Sequence, residues 1–265
     1  MRIGYVQNKP IFGKLNENIE KALALISKVD ADLIVLPELF ASGYFFPSAD
    51  KVFEMAETVP NGRTVKLFKS LSKKKKCAFI FGLAERKGNR CYNSAVYITP
   101  QGQTYLYRKL HLFYREKFWF TKGNLKLRVF PFYEFKVGMM ICYDWIYPEV
   151  CRILALKGAN LVCHPSNLVL KYCQDAMKTR SIENRIFTVT ANRVGKDSCG
   201  SETFRFTGLS QITDVDGSLL SSASPTRPET GVADLDLSES LSKASTPENH
   251  IFNDRRPDFY RDLVE

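Results

Sequence analysis

Short apolar, β-branched runs alternate with amphipathic stretches along this chain, and that alternation confines it to layered α/β architectures. The first runs are "RIGYVQ" (2–7), "DLIVLPEL" (32–39) and "CAFIFGLAER" (77–86). Between them lie "LNENIEKALALISKVD" (15–30), with Ile19, Leu23 and Ile26 at helical spacing, and "TVKLFKSLSKKK" (64–75). The expected order is strand, helix, strand, helix, strand. Runs that are apolar throughout suit strands buried on both faces. Pro37 ends the second run, because proline brings no N–H to a ladder.

"NSAVYITPQGQTYLYRK" (93–109) reads as two strands around a Pro-Gln-Gly turn. A second series follows: strand "KVGMMICYD" (136–144), helix "YPEVCRILALKGA" (147–159), strand "NLVCHPS" (160–166), helix "QDAMKTRSIENR" (174–185) and strand "IFTVTANRVG" (186–195). Pro148 suits the first turn of its helix and Gly158 its cap. "NSAVYITPQGQT" (93–104) echoes "GLSQITDVDGSL" (208–219), as two similar α/β halves would. "SSASPTRPET" (221–230) reads as a surface loop. The tail "NDRRPDFYRDLVE" is charged and aromatic. No low-complexity linker divides the chain, so one domain over 1–265 is expected.

The formal charge of +10 is scattered, and its densest run, "SKKKKC", falls where a helix ends and cations are favoured. No nucleic-acid motif accompanies it, so no nucleic-acid partner is expected. No apolar run is long enough for a bilayer, so no membrane partner is expected either. The N-terminus lacks the apolar core of a signal peptide. Seven cysteines occur, an odd number with no C-x-x-C pair, which points to a reducing, cytoplasmic setting without disulfides. "VCHPSN" has no second ligand pair at zinc spacing, so no metal is expected.

Cys142 closes the apolar run "KVGMMI" just before a helix start. A thiol there meets unpaired backbone N–H groups, which lower its pKa. A sharp strand-to-helix turn also exposes a nucleophile and sets the next N–H, that of Tyr143, toward an oxyanion. A packed core cysteine is the plainer reading. A nucleophilic thiol needs a proton acceptor. Among the three histidines, His111 and His164 follow probable strands, which leaves a Cys–His hydrolase open. A carboxylate is the other choice: Glu38 emerges beyond Pro37 at a strand end, where open α/β sheets bind ligands. Lys109 ends another apolar strand and could hold an oxyanion. Glu116, in "FYREKF", reads equally as a surface partner of Arg115 or Lys117.

"LPELF", "YRKLHLFYREKFWF" and "ICYDWIYPE" together resemble the nitrilase superfamily of carbon–nitrogen hydrolases. "GYFFP", "HPSNLV", "RSIENRIF" and "TANRVG" extend the resemblance from residue 2 to about residue 255. It implies a four-layer αββα sandwich and a Glu-Lys-Cys triad. Cys142 would attack a carbonyl or nitrile carbon, Glu38 would carry the proton, and Lys109 with the Tyr143 N–H would hold the oxyanion. Glu116 would orient Lys109 or the substrate, leaving His111 structural. The resemblance implies no cofactor and a small amide, carbamoyl or nitrile substrate, with amide or carbamoyl hydrolysis preferred over a nitrilase acting on small aliphatic (di)nitriles. A catalytically idle binding protein remains the alternative from another class. Tyr44, Phe113, Tyr114, Trp145 and Asn167 are candidate substrate contacts, whereas Arg180 and Arg193 read as structural. The resemblance further implies a homodimer or larger assembly through helices 149–158 and 172–184 and the tail from about residue 250.

Overall fold

The computed structural model describes residues 1–263, which form two six-stranded sheets and a separate two-stranded ribbon. The first sheet holds β1 (Arg2–Gln7), β2 (Leu33–Val35), β3 (Ala78–Lys87), β4 (Arg90–Ile98) and β5 (Thr104–Arg108). The second holds β6 (Val129–Phe132), β7 (Phe135–Met139), β8 (Leu161–Pro165) and β9 (Phe187–Ala191). The ribbon is β10 (Lys196–Cys199) with β11 (Glu202–Arg205). β12 (Gln211–Thr213) and β13 (Leu219–Ser222) complete the second sheet, and β14 (Glu229–Asp234) completes the first.

Each sheet repeats one plan. Three parallel strands, β1-β2-β3 or β7-β8-β9, carry an antiparallel strand on one side and an antiparallel pair on the other. The two hairpins echoed in the sequence, β4-β5 and β12-β13, occupy equivalent edges.

The helices are α1 (Leu15–Ile26), α2 (Ala49–Met55), α3 (Arg63–Lys75), α4 (Glu116–Trp119), α5 (Pro148–Leu156) and α6 (Cys173–Asn184). Alternation along the strands divides the apolar side chains between two cores. Tyr5, Val35 and Ile80 of the first sheet meet Met139, Cys163 and Val189 of the second. On the opposite face, Ile34, Phe79 and Phe81 pack on Ile19 and Ile26 of α1 and Phe68 of α3. α5 and α6 rest on β7, β9 and β12. The result is the four-layer αββα sandwich.

Several boundaries differ from the sequence pattern for local reasons. α1 stops at Ile26 rather than at residue 30. Its last turn tightens as the N–H groups of Lys28 and Val29 bond to the carbonyls three residues back, and Ser27 Oγ bonds to Ala24. β2 is only three residues long, because Pro37 ends its ladder. β7 ends at Met139, and residues 142–146 coil into a 3-10 turn instead of extending the strand to 144. The 221–230 segment begins in β13 and ends in β14, so only its middle is a loop.

Candidate active site

Glu38 reaches the interior through a sharp departure from β2. Leu36 N–H still bonds to Ile80, and then Pro37 turns the chain while its carbonyl accepts from Gly82 N–H. Leu39 adopts a left-handed φ of 49°. The carboxylate is wholly buried. Its Oε1 accepts from Lys109 Nζ at 2.8 Å and from Asn93 Nδ2 at 2.6 Å, and its Oε2 has no partner. Asn93 lies within β4, a polar residue in an apolar strand, and such a residue must find a partner when buried.

Lys109 directly follows β5, and its N–H bonds to the Asn93 carbonyl. Nζ also lies 2.8 Å from Glu116 Oε1 at the start of α4. The same oxygen accepts from the Tyr44 hydroxyl at 2.7 Å, while Glu116 Oε2 accepts from Phe113 N–H. Burial alone would lower the lysine pKa, but the flanking carboxylates of Glu116 and Glu38 outweigh it and hold the ammonium well above its usual range. Burial pushes Glu116 up to about 7, with Lys109 opposing and Glu38 reinforcing that rise.

Cys142 sits at the first residue of the 3-10 turn with φ 41°, a strained conformation for a non-glycine residue. Asp144 clamps the turn. Its Oδ2 accepts from Ile141 N–H at 2.9 Å and from the Tyr107 hydroxyl at 2.7 Å, and its Oδ1 accepts from His111 Nδ1 at 2.8 Å. His111 also stacks on Tyr147. On the sequence alone, the helix N-terminus should lower the thiol pKa. The structure reverses the direction, because burial and the nearby Glu38 carboxylate push it well above the usual thiol range despite Lys109. The Cys142 side chain therefore rests as a neutral thiol near the Glu38 carboxylate.

His164 lies next to this turn, but its Nε2 is 2.8 Å from the Cys142 carbonyl oxygen. A carbonyl only accepts, so Nε2 carries the proton, and Nδ1 accepts from Thr190 Oγ1. Burial lowers the His164 pKa to about 4. A histidine with its proton committed to a backbone carbonyl is badly placed to deprotonate the thiol, which weakens the Cys–His alternative.

A small cavity opens at Cys142, lined by Phe113, Tyr143, Trp145, Asn167 and Leu168 to Leu170. Of the predicted contacts, Phe113, Trp145 and Asn167 line it. Tyr44 lies behind it as the partner of Glu116. Tyr114 lies outside this lining: its left-handed φ of 49° accompanies a half-exposed ring whose hydroxyl donates to Glu202 of β11. Arg193 is buried against Asp197, whose Oδ2 also accepts from Tyr44 N–H, and Arg180 pairs with Glu183. The sequence reading missed Asn93 and Asp144. Both are polar residues amid apolar runs, and that was their only signal. Among the described residues, no group of three or more His, Cys, Asp or Glu could hold a metal, and no helix is long and apolar enough to cross a membrane.

The arrangement supplies what acyl transfer needs: a carboxylate with a free oxygen, a fixed cation and a thiol on a strained turn. The family model for carbon-nitrogen hydrolases matches residues 2–242. A protein of Pyrococcus abyssi named nitrilase is 44% identical, covering 98% of this chain and 99% of its own. The N-carbamoylputrescine amidase of Solanum lycopersicum is 29% identical over 92% of this chain and 88% of its own. The crystal structure of a carbon-nitrogen hydrolase from Helicobacter pylori G27 superposes with a TM-score of 0.91 at 28% identity, covering 100% of this chain and 98% of that one. With the family model spanning nearly the whole sequence and the fold shared from end to end, this chain belongs to the carbon–nitrogen hydrolase family and is a hydrolase acting on C–N bonds.

Proposed function

We propose that the protein hydrolyses a small amide or N-carbamoyl compound through a thioester on Cys142. The carrying observation is the Lys109 ammonium held between Glu38 and Glu116, with Glu38 Oε2 left without a partner and the Glu38 charge acting on the Cys142 thiol. Glu38 takes the thiol proton as sulfur attacks the carbonyl carbon. Lys109 and the Tyr143 N–H hold the resulting oxyanion. The C–N bond breaks, and the nitrogen leaves as ammonia with the proton from Glu38. Glu38 then takes a proton from water. The hydroxide attacks the thioester, the acid departs, and sulfur regains its proton. Glu116 keeps Lys109 aimed, and Tyr44 steadies Glu116.

The relative named for N-carbamoylputrescine hydrolysis supports a C–N bond next to a carbonyl as the target. The test is ammonia release from a panel of small amides, ω-amides, N-carbamoyl amines and dinitriles, with Cys142→Ala as control. Turnover of an amide or carbamoyl compound that vanishes in the control is expected. Turnover that survives in Cys142→Ala, or silence across the panel, overturns the proposal.

A further inference from the structure

Asn167, which lines the cavity, carries a buried acceptor with no partner. Its Nδ2 donates to the backbone carbonyl of Glu38 at 2.9 Å. A carbonyl oxygen can only accept, so this bond fixes which way the amide points. The other end, Oδ1, is buried and has no partner. Asn167 is 2% exposed and lines the same cavity as Cys142. Its backbone N–H opposes the rise in thiol pKa at Cys142. Glu38 Oε2, also unpartnered, belongs to the residue that Asn167 holds, and Asn93, which donates to Glu38, likewise has a free Oδ1. Buried acceptors of this kind are normally paired, so they mark where a ligand should bring donors.

The rest of the lining is apolar or aromatic: Phe113, Tyr143, Trp145, Leu168, Val169 and Leu170. No charged side chain is among these lining residues. The cavity volume is only about 10 Å3, far below the roughly 300–1,000 Å3 of pockets for drug-sized ligands, so only a short substrate fits and the lining must give way to admit it. A carboxylate or ammonium on the substrate's far end would be buried there without a partner.

We infer that Asn167 Oδ1 recognises an N–H of the scissile group, and that the preferred substrate is a short, uncharged primary carboxamide. This rests on the thioester reading above and deepens it. One N–H of the carboxamide bonds to Asn167 Oδ1, which turns the nitrogen toward Glu38, the group that must protonate it. A nitrile of the same chain has no hydrogen on nitrogen and leaves Oδ1 unpaired. A site built to bond an N–H discriminates strongly against an analogue lacking it.

The experiment compares kcat/KM for butyramide, butyronitrile, methyl butyrate and the ω-amide of glutaric acid. It uses wild type, Asn167→Ala and Cys142→Ala. Wild type should favour butyramide over butyronitrile and over the charged ω-amide by about 100-fold or more. The ester shares the thiol and the oxyanion site but carries no N–H, so the amide-to-ester ratio should fall about 100-fold in Asn167→Ala. Equal loss of amide and ester means that Asn167 merely supports the Glu38 loop, and this overturns the inference. So does a wild type that treats amide and nitrile alike, a result that needs no variant to fold. Ester turnover that depends on Cys142 without any amide preference sinks this inference alone. Turnover that survives Cys142→Ala, or none on any substrate, sinks the thioester reading with it.

Discussion

Lys109 Nζ lies 2.8 Å from Glu38 Oε1, and both side chains are completely shielded from solvent. With Glu116 on its other side, the lysine neutralises carboxylates that burial would otherwise penalise. Lys109→Met should therefore lower kcat/KM by about 1,000-fold or more, as loss of oxyanion stabilisation does. It should also destabilise the fold by about 3–5 kcal/mol, the usual effect of removing one partner of a buried pair. Urea unfolding beside steady-state kinetics measures both. Adding Glu38→Gln should recover part of the stability and none of the activity.

The Cys142 thiol is held above its usual range by burial and Glu38. Its alkylation by a small uncharged reagent should keep accelerating beyond pH about 8.5, the ordinary thiol value. Cys142→Ala supplies the background from the remaining cysteines. A rate that levels off below pH 8 would show a preformed thiolate instead.

His164 is buried and neutral, with a pKa lowered to about 4 from 6.5. Between those values the unfolded chain binds more protons than the folded one, so stability should fall as pH drops from 6.5 to 4. The full effect is about 3 kcal/mol. Glu116, raised to about 7, acts with the opposite sign over the overlapping window, because its folded form binds the extra proton there. The clean readout is thus the stability of wild type minus that of His164→Asn, a difference that should fall by about 3 kcal/mol as pH drops from 6.5 to 4.

Gly82 in β3 lies directly under the Glu38 loop. A Cβ there would collide with Glu38 Cα and come within 2.8 Å of Leu39 N. Gly82→Ala should displace the carboxylate, costing about 1–3 kcal/mol of stability and most of the activity. Thermal unfolding and ammonia release check it together. Full activity in Gly82→Ala would mean that the position of Glu38 tolerates a shift.

We propose that copies of this chain associate through α5, α6 and the C-terminal tail. Ile153, Leu156, Ile182 and Phe259 are exposed there. Light scattering should give a mass of twice 30.2 kDa or more, and Ile153→Asp with Leu156→Asp should halve the dimer mass. A monomeric wild type contradicts the proposal.

Apolar periodicity made the parallel strands and their helices legible, and it also marked where chemistry could emerge. Glu38, Lys109 and Cys142 each follow an apolar run, and each lies just past a strand in the structure. The ribbon β10-β11 was not legible, because "KDSC" and "ETFR" are largely polar and half exposed, with no apolar alternation long enough to show a period. β14 was hidden for a similar reason, being a half-buried edge strand. Asp144 and Asn93 escaped because their partners are distant in sequence: Asp144 bonds Tyr107 and His111, and Asn93 bonds Glu38. The thiol pKa went the wrong way because a helix N-terminus is visible in sequence, whereas burial against Glu38 is not.

The most direct test of the account is intact-mass spectrometry of the protein quenched during turnover of a small amide, followed by mapping of the modified peptide. The account predicts an adduct equal to the amide less ammonia, located on Cys142 and absent from Cys142→Ala. An adduct on another residue, or turnover with no covalent intermediate and undiminished in Cys142→Ala, would contradict it.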